Sequence, residues 1–300
     1  MNEQADAPLA VTIGNFDGVH LGHRAILERL KAHARASGAT PAVVTFDPHP
    51  QAVLRGHAPL ALATAPRRTE LLREAGIDRV LVIPFDRSLS LVEPEAFVSE
   101  MLVRGLGVRA VVVGENFRFG HKARGDTAML AAMGRELGFS FEAVPLQELD
   151  GRPVSSSAIR RAIAGCDLAW ANRALGRCHS VPGRVVRGKG RGVGLGFPTA
   201  NVDPPGNFCL PGLGIYAGHL IVGDERLVSA ISVGTNPTYG EHNPVTLEAY
   251  ALDFEGDLYG EEGEIEFAAH LRPERAFPSE SELAAAIKND VAEVRRLLPG

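Results

Sequence analysis

The sequence predicts two folds in succession: an α/β domain with a parallel, doubly wound sheet, then an antiparallel β-barrel with a terminal helix. Three observations predict this. Across the first half of the 300 residues, apolar runs of strand length alternate with segments of helical spacing. From about His179 onward helical spacing stops, and short alternating runs follow between Gly- and Pro-rich turns. At the end, residues 281–298 place Leu283, Ile287, Val291 and Val294 on one helical face, with Ser279 as the start signal. The length itself is a prior for two domains.

Taken in order, residues 9–13 form a first strand. It runs into Gly14-Asn15-Phe16-Asp17-Gly18-Val19-His20-Leu21-Gly22-His23. Residues 24–37 then carry Ile26, Leu27, Leu30 and Ala34 at helical spacing. Residues 42–46 read as the second strand, 67–75 as a helix ended by Gly76, and 79–83 as the third strand. Residues 94–104 read as a helix stopped by Gly105. Residues 110–113 are apolar throughout, as a strand buried on both faces requires. Asp126 is an N-cap for a helix reaching Leu137, and 139–144 complete the set. One further helix, 162–175, precedes the change in composition. The boundary falls within 173–180, which gives domains 1–175 and 176–300. In the second domain 181–186, 214–222, 226–233, 246–252 and 264–271 read as strands.

The bulk numbers exclude several classes. Hydrophobic residues make up 45% and charged residues 22%, with a net charge of −5. Residues 1–150 hold 16 basic and 18 acidic side chains, and residues 151–300 hold 15 and 18. Neither half has the basic excess that a nucleic-acid backbone demands. Cys166, Cys178 and Cys209 are odd in number and lack C-x-x-C spacing, which fits a reducing cytoplasm. The first six residues have no apolar core, so no secretory signal is expected, and no apolar run is long enough to cross a membrane.

The candidate chemistry of the first half lies where such sheets bind ligands, beyond the carboxyl ends of the strands. His20 and His23 fall on one side of the first helical turn, at a helix N-terminus suited to phosphate. Gly14 and Gly18 let the backbone turn or lie close to a ligand. Phe46-Asp47-Pro48-His49-Pro50 reads as a rigid, non-helical loop able to hold His49 over a ligand; taken alone it reads sooner as an ordinary turn. Gly114-Glu115-Asn116-Phe117-Arg118-Phe119-Gly120 offers two aromatics for stacking, either of which is as readily core. Ser155-Ser156-Ser157, followed by Arg160, is either a plain N-cap or a triphosphate grip.

In the second half, residues 187–196 hold five glycines in ten positions, which composition alone reads as a linker. Phe197-Pro198-Thr199-Ala200-Asn201 follows. Thr199 and Asn201 are two apart in an extended stretch, so both side chains point one way. A hydroxyl and an amide carbonyl are hard oxygen ligands suited to Mg²⁺ shared with nucleotide phosphates. Glu248 is by itself one acidic strand residue among several, like Glu241, Glu255 and Glu264.

His20-Leu21-Gly22-His23 after a first strand resembles the HIGH signature of nucleotidyltransferases. The four blocks of the first half, in order, resemble the adenylyltransferase module of bacterial bifunctional riboflavin kinase/FAD synthetases. Pro198-Thr199-Ala200-Asn201, Pro211-Gly212-Leu213-Gly214-Ile215-Tyr216-Ala217, Val233-Gly234-Thr235-Asn236-Pro237-Thr238, Leu247-Glu248-Ala249-Tyr250 and residues 253–260 resemble its riboflavin kinase domain. The resemblance covers about residues 9–297. It implies a Rossmann-like nucleotidyltransferase domain followed by a Greek-key barrel. It further implies riboflavin and ATP giving FMN in the barrel, and FMN and ATP giving FAD and pyrophosphate in the first domain, with Mg²⁺.

On matching positions the resemblance makes His20 and His23 the stabilisers of the α-phosphate. Gly14, Asn15, Phe16, Asp17, His49, Asn116, Ser156, Ser157 and Arg160 become ATP- or phosphate-binding. In the barrel, Glu248 becomes the general base, Thr199 and Asn201 the metal ligands, and Gly190, Gly192, Gly196, Phe197 and Pro198 flavin- or ATP-binding. Ser157 stands where the pattern has Thr, and keeps the hydroxyl. Two alternatives stand beside this reading: an enzyme with one live activity, and a flavin-binding sensor without turnover.

Overall fold

The computed structural model describes residues 8–187, 197–235 and 245–299. Chain contacts divide it into two units, Met1–Ser156 and Ser157–Gly300.

The first unit is a five-stranded parallel sheet of β1 (Leu9–Ile13), β2 (Thr40–Asp47), β3 (Arg79–Pro84), β4 (Val108–Gly114) and β5 (Ser140–Val144), in the order β3-β2-β1-β4-β5. Its helices are α1 (Leu21–Ser37), α2 (Pro50–Arg55), α3 (Ala65–Glu74), α4 (Pro94–Ala96, continuing through Phe97–Gly105) and α5 (Thr127–Leu137). Every residue of β1 is buried, as a central strand covered on both faces must be. On one face Ala10, Val43 and Val112 pack with Leu27 and Leu30 of α1 and Leu72 of α3. On the other, Val11, Val44 and Val111 pack with Phe97 and Leu102 of α4 and Leu130 of α5. A small hairpin, β6 (Glu148–Leu149) with β7 (Arg152–Pro153), follows the sheet.

Two local expectations need correction here. The Pro48–Pro50 loop is not wholly non-helical: Pro50 opens α2, where its missing N–H costs nothing, and His49 is the N-cap. Residues 94–104 are not one regular α-helix; after Ala96 the turns widen to π spacing, and Leu106 N–H donates to Met101 O at 3.1 Å.

The boundary falls at the first residue of α6 (Ser156–Ala164), which is followed by α7 (Leu168–Leu175), not one helix over 162–175. Cys166 takes a left-handed φ of 62°, and the Asp167 side chain caps α7 by accepting from Trp170 N–H at 3.3 Å. The strands are β8 (His179–Val186), β9 (Ala200–Asp203), β10 (Gly214–Val222), β11 (Glu225–Thr235), β12 (Val245–Ala251) and β13 (Glu262–Pro273). They close an antiparallel barrel in the order β10-β11-β12-β9-β8-β13, with β9 returning beside β12 as in a Greek key. Val181, Tyr216, Leu220, Ile231, Leu247, Ile265 and Phe267 fill it. The terminal helix α8 (Glu280–Leu297) is capped by Ser279 and lays Val291 and Val294 against Val228, Ala230 and Leu271.

Composition divides the chain near residue 175, whereas contacts divide it after Ser156, because α7 is stitched to the barrel. Asn172 Nδ2 donates to Phe267 O at 2.8 Å, and Asn172 Oδ1 accepts from His179 N–H at 2.7 Å. A helical spacing pattern carries no record of which sheet the helix covers.

Candidate active sites

In the first unit a cavity of about 260 Å³ opens beyond the carboxyl ends of β1, β4 and β5. The strand order reverses between β1 and β4, so the cavity sits at the switch point of the sheet. Gly14, Phe16, Gly114, Asn116, Phe117, Gln147, Val154, Ser155 and Ser156 contribute to its wall, with His20 and His23 at the start of α1.

The opening turn is tightly constrained. Phe16 and Val19 hold left-handed φ values of 51° and 41° and are almost wholly buried. Packing therefore maintains a backbone that these side chains disfavour. Gly18, at φ 82°, meets the same demand without a side chain. His20 is the N-cap of α1: its Nδ1 accepts from His23 N–H at 3.3 Å. That bond leaves Nε2 as the proton-bearing nitrogen of the neutral ring. The His20 and His23 rings stack at 3.6 Å between centroids, 18° from parallel. Burial, and then the neighbouring His20, hold the His23 imidazole well below its ordinary pKa, so it is neutral at pH 7. His23 Nδ1 is buried and has no hydrogen-bond partner. Such a nitrogen is costly unless a ligand meets it.

Gly22 lies between the two histidines for a steric reason. A Cβ there would stand 3.1 Å from His20 Cε1 and 3.2 Å from the Val154 carbonyl oxygen. Ser156 Oγ donates to Asp17 O at 2.9 Å, tying the start of α6 to the opening turn. Asp17 itself faces away from the cavity wall. Its carboxylate accepts from Leu62 N–H at 3.0 Å and Ala63 N–H at 3.2 Å. Asn15 supplies its carbonyl to Arg68 Nη1 at 3.1 Å and is not part of the wall. His49 Nδ1 accepts from Gln51 N–H at 3.1 Å, and His49 also lies outside it. Phe117 faces the cavity, whereas Phe119 is buried in the core beside Phe97. Ser157 and Arg160 lie on α6 in the second unit and are not among the residues that line this cavity.

In the second unit, Glu248 on β12 pairs directly with Asn201 on β9 and Ser232 on β11. Leu247 and Val202, also a direct pair, point into the barrel core, so Asn201 and Glu248 share the outer face. Thr199 Oγ1 donates to Glu248 Oε2 at 3.2 Å. Phe197 meets the Tyr250 ring edge-on at 5.3 Å. A cavity of about 640 Å³ runs from Phe197, Thr199, Glu248 and Tyr250 to Leu283 and Ile287 of α8. A second, of about 100 Å³, is lined by Pro198, Thr199, Ala200, Phe254 and Tyr259. Thr199 belongs to both walls. Gly190, Gly192 and Gly196 lie outside the described residues.

Residues 2–158 match the family model for FAD synthetase, and 175–298 match the model for riboflavin kinase. Over 95% of the chain, and 92% of the relative, it is 39% identical to the bifunctional riboflavin kinase/FMN adenylyltransferase of Pseudomonas fluorescens. The chain belongs to the bifunctional riboflavin kinase/FMN adenylyltransferase family. The enzyme of that name from Listeria monocytogenes is 36% identical over 98% of this chain and 94% of its own. In fold, the chain is similar to the solved structure of a protein called macrolide-efflux protein from Streptococcus pneumoniae. The TM-score is 0.89 over 97% of this chain and 95% of that one, at 24% identity.

Sequence reasoning missed part of each wall of this family member. Gln147 enters the first cavity from the loop after β5. The signal was its position after a carboxyl strand end. Arg272, Glu274, Arg275 and Phe277 enter the larger barrel cavity from the β13–α8 connection, and Asp290 from α8. Charged residues beside an aromatic, between a strand and a helix, were the available signal.

Proposed function

We propose the following division of chemistry. The barrel unit phosphorylates riboflavin to FMN with ATP, and the α/β unit adenylylates FMN to FAD with a second ATP, releasing pyrophosphate. The observation that carries the kinase assignment is the Thr199–Glu248 hydrogen bond at a residue shared by two cavities. A donor and a base at the junction of two cavities suit a phosphoryl group passed from one substrate to another.

In the kinase step Glu248 accepts the proton of the ribityl 5′-hydroxyl as that oxygen bonds to the γ-phosphorus. The bond from the γ-phosphorus to the β–γ bridging oxygen breaks, and ADP leaves. Riboflavin fits the larger cavity, whose aromatic and aliphatic wall suits a flat ring. Thr199 and Asn201 present hard oxygens on the face of Glu248, a donor set that fits Mg²⁺. Bound there, Mg²⁺ supplies neutralisation of phosphate charge. Gly190, Gly192, Gly196, Phe197 and Pro198 are assigned to substrate contact on the family pattern.

In the adenylyl step an FMN phosphate oxygen attacks the α-phosphorus of ATP and pyrophosphate departs. His20, through Nε2–H, and His23 donate to the oxygens that gain charge. Asn116 and Gly14 meet the nucleotide at the cavity wall. Asp17 and Asn15 act by holding the turn, and Ser156 by tying α6 to it. Ser157, Arg160 and His49 are retained as phosphate contacts on the motif alone. No described helix is long and apolar enough to cross a membrane. A cytoplasmic location belongs to this reading and rests on three free thiols.

The test is one time course of flavins separated after incubation with riboflavin, ATP and Mg²⁺. The reading predicts FMN, then FAD. Glu248→Gln should slow FMN formation by about 10²–10⁴-fold and leave FAD formation from supplied FMN intact. His23→Ala should do the reverse. Loss of both activities in a folded single variant would refute the division.

A further inference from the structure

Asp17 and Asp290 are the two buried carboxylates among the described residues. Asp17 is spent on backbone N–H groups, as described above. Asp290, on the third turn of α8, faces the larger barrel cavity and meets Arg272, near the end of β13, in a bidentate pair. Arg272 Nε donates to Oδ1 at 2.9 Å and Nη2 to Oδ2 at 2.7 Å. Arg272 Nη1 donates to Pro273 O at 3.2 Å. The side chains are only 22% and 10% exposed. The Arg272 guanidinium also lies 5.5 Å from the centroid of Phe277, and Arg275 lies 4.7 Å from the same ring. Arg272, Arg275, Phe277 and Asp290 line the cavity that also holds Glu248.

The geometry points to the Arg272–Asp290 pair as a positioning device for the flavin ring, acting through α8 and Phe277. This rests on the larger cavity being the riboflavin site. A buried pair of this kind adds little net stability compared with apolar residues, but breaking one partner leaves an uncompensated charge. Its geometric value is greater. The planar fork permits one relative placement of β13 and α8. Leu283 and Ile287, on the α8 turns before Asp290, form the apolar wall of the cavity. Phe277, under both guanidinium groups, is held in the cavity wall by the same arginine. Engagement of all three guanidinium nitrogens by protein acceptors makes Arg272 a brace for the wall. The phosphoryl-transfer end, at Thr199 and Glu248, lies on other strands. The pair therefore governs riboflavin affinity and not the rate of transfer.

The experiment titrates riboflavin into the full-length chain by flavin fluorescence and measures kinase KM values for riboflavin and ATP. The variants are Asp290→Asn, and Arg272→Lys, which keeps the charge and loses the fork. Fluorescence of Trp170, buried in α7 of the same unit, reports folded protein. Expected are a riboflavin Kd and KM raised about tenfold or more, with kcat and the ATP KM within twofold. Arg272→Lys should show the same split if Asp290→Asn does not fold. Unchanged riboflavin KM, or equal rises in both KM values, would overturn the inference. Ile287→Trp fills the cavity and separates the two levels. If it still binds riboflavin normally, the flavin reading of the cavity fails. If it abolishes binding while Asp290→Asn binds as wild type, only the positioning role fails.

Discussion

His179 gives the barrel unit a calculable sensitivity to acid. The residue starts β8, is 1% exposed, and lies between Phe208 and Phe267, each ring 6.2 Å away. Its Nε2 donates to Cys209 O at 2.8 Å, and its Nδ1 is buried without a partner. Burial lowers its pKa to about 4, against the partial support of the Cys209 carbonyl. The unfolded chain binds its proton at about 6.5, so below that pH the unfolded state holds more protons and stability falls. The loss begins as pH drops through 6.5 and levels off below 4. At pH 5 the difference is about 2 kcal/mol, and its limit is about 3 kcal/mol.

The perturbation is His179→Gln, whose side-chain N–H reaches the Cys209 carbonyl but does not titrate. Lost ring contacts should cost about 1–2 kcal/mol at pH 8. Trp170 is the single tryptophan and is buried in α7 of the same unit, so its fluorescence reports this unit selectively. Urea unfolding at pH 8 and pH 5 gives four free energies. Wild type should lose about 2 kcal/mol more than the variant between the two pH values. The comparison subtracts every other titrating group, including His219, whose pKa is also lowered by burial. Equal losses in the two proteins would refute the reasoning.

Other perturbations address the sites. Gly22→Ala inserts a Cβ against His20 and the Val154 carbonyl; FAD formation should fall at least tenfold while FMN formation is unchanged, as read by the flavin time course. Thr199→Val removes the donor to Glu248 and should lower kinase kcat, whereas Thr199→Ser should recover most of it. Phe119→Ala should destabilise the first unit by about 3–5 kcal/mol, seen by calorimetry. Phe117→Ala should raise the KM for FMN or ATP with a smaller loss of stability than Phe119→Ala, because that ring lines the cavity and only partly packs on the core.

The first unit was legible because its signals are local. β1 is buried throughout, β4 carries the apolar run 110–113, and Asp126 does cap α5, accepting from Met129 N–H at 2.9 Å. Most strand ends fell within two residues of the structure. What escaped was set by tertiary contact. Residues 162–175 keep helical spacing across a break, because Asp167 can cap a new helix without disturbing the apolar pattern. β9 is four residues long and is recognisable as a strand only through its pairing with β12 and β8.

The sites divide along the same line. His20, His23 and Gly22 were visible because helix periodicity places two residues three apart on one side, and the structure adds that they stack. Thr199, Asn201 and Glu248 required a barrel register to meet, and alternation within each strand says nothing of register between strands 47 residues apart. Motif resemblance supplied that missing information, and the register now gives it a physical basis. Within one decapeptide, Phe16 and Val19 store backbone strain, Asp17 caps two backbone N–H groups, and Gly22 makes room. His20 and His23 stack at the cavity wall. A short motif at a strand-to-helix turn is therefore mostly scaffold. Its length reflects the number of residues needed to hold two imidazoles in one stacked arrangement beside a helix N-terminus.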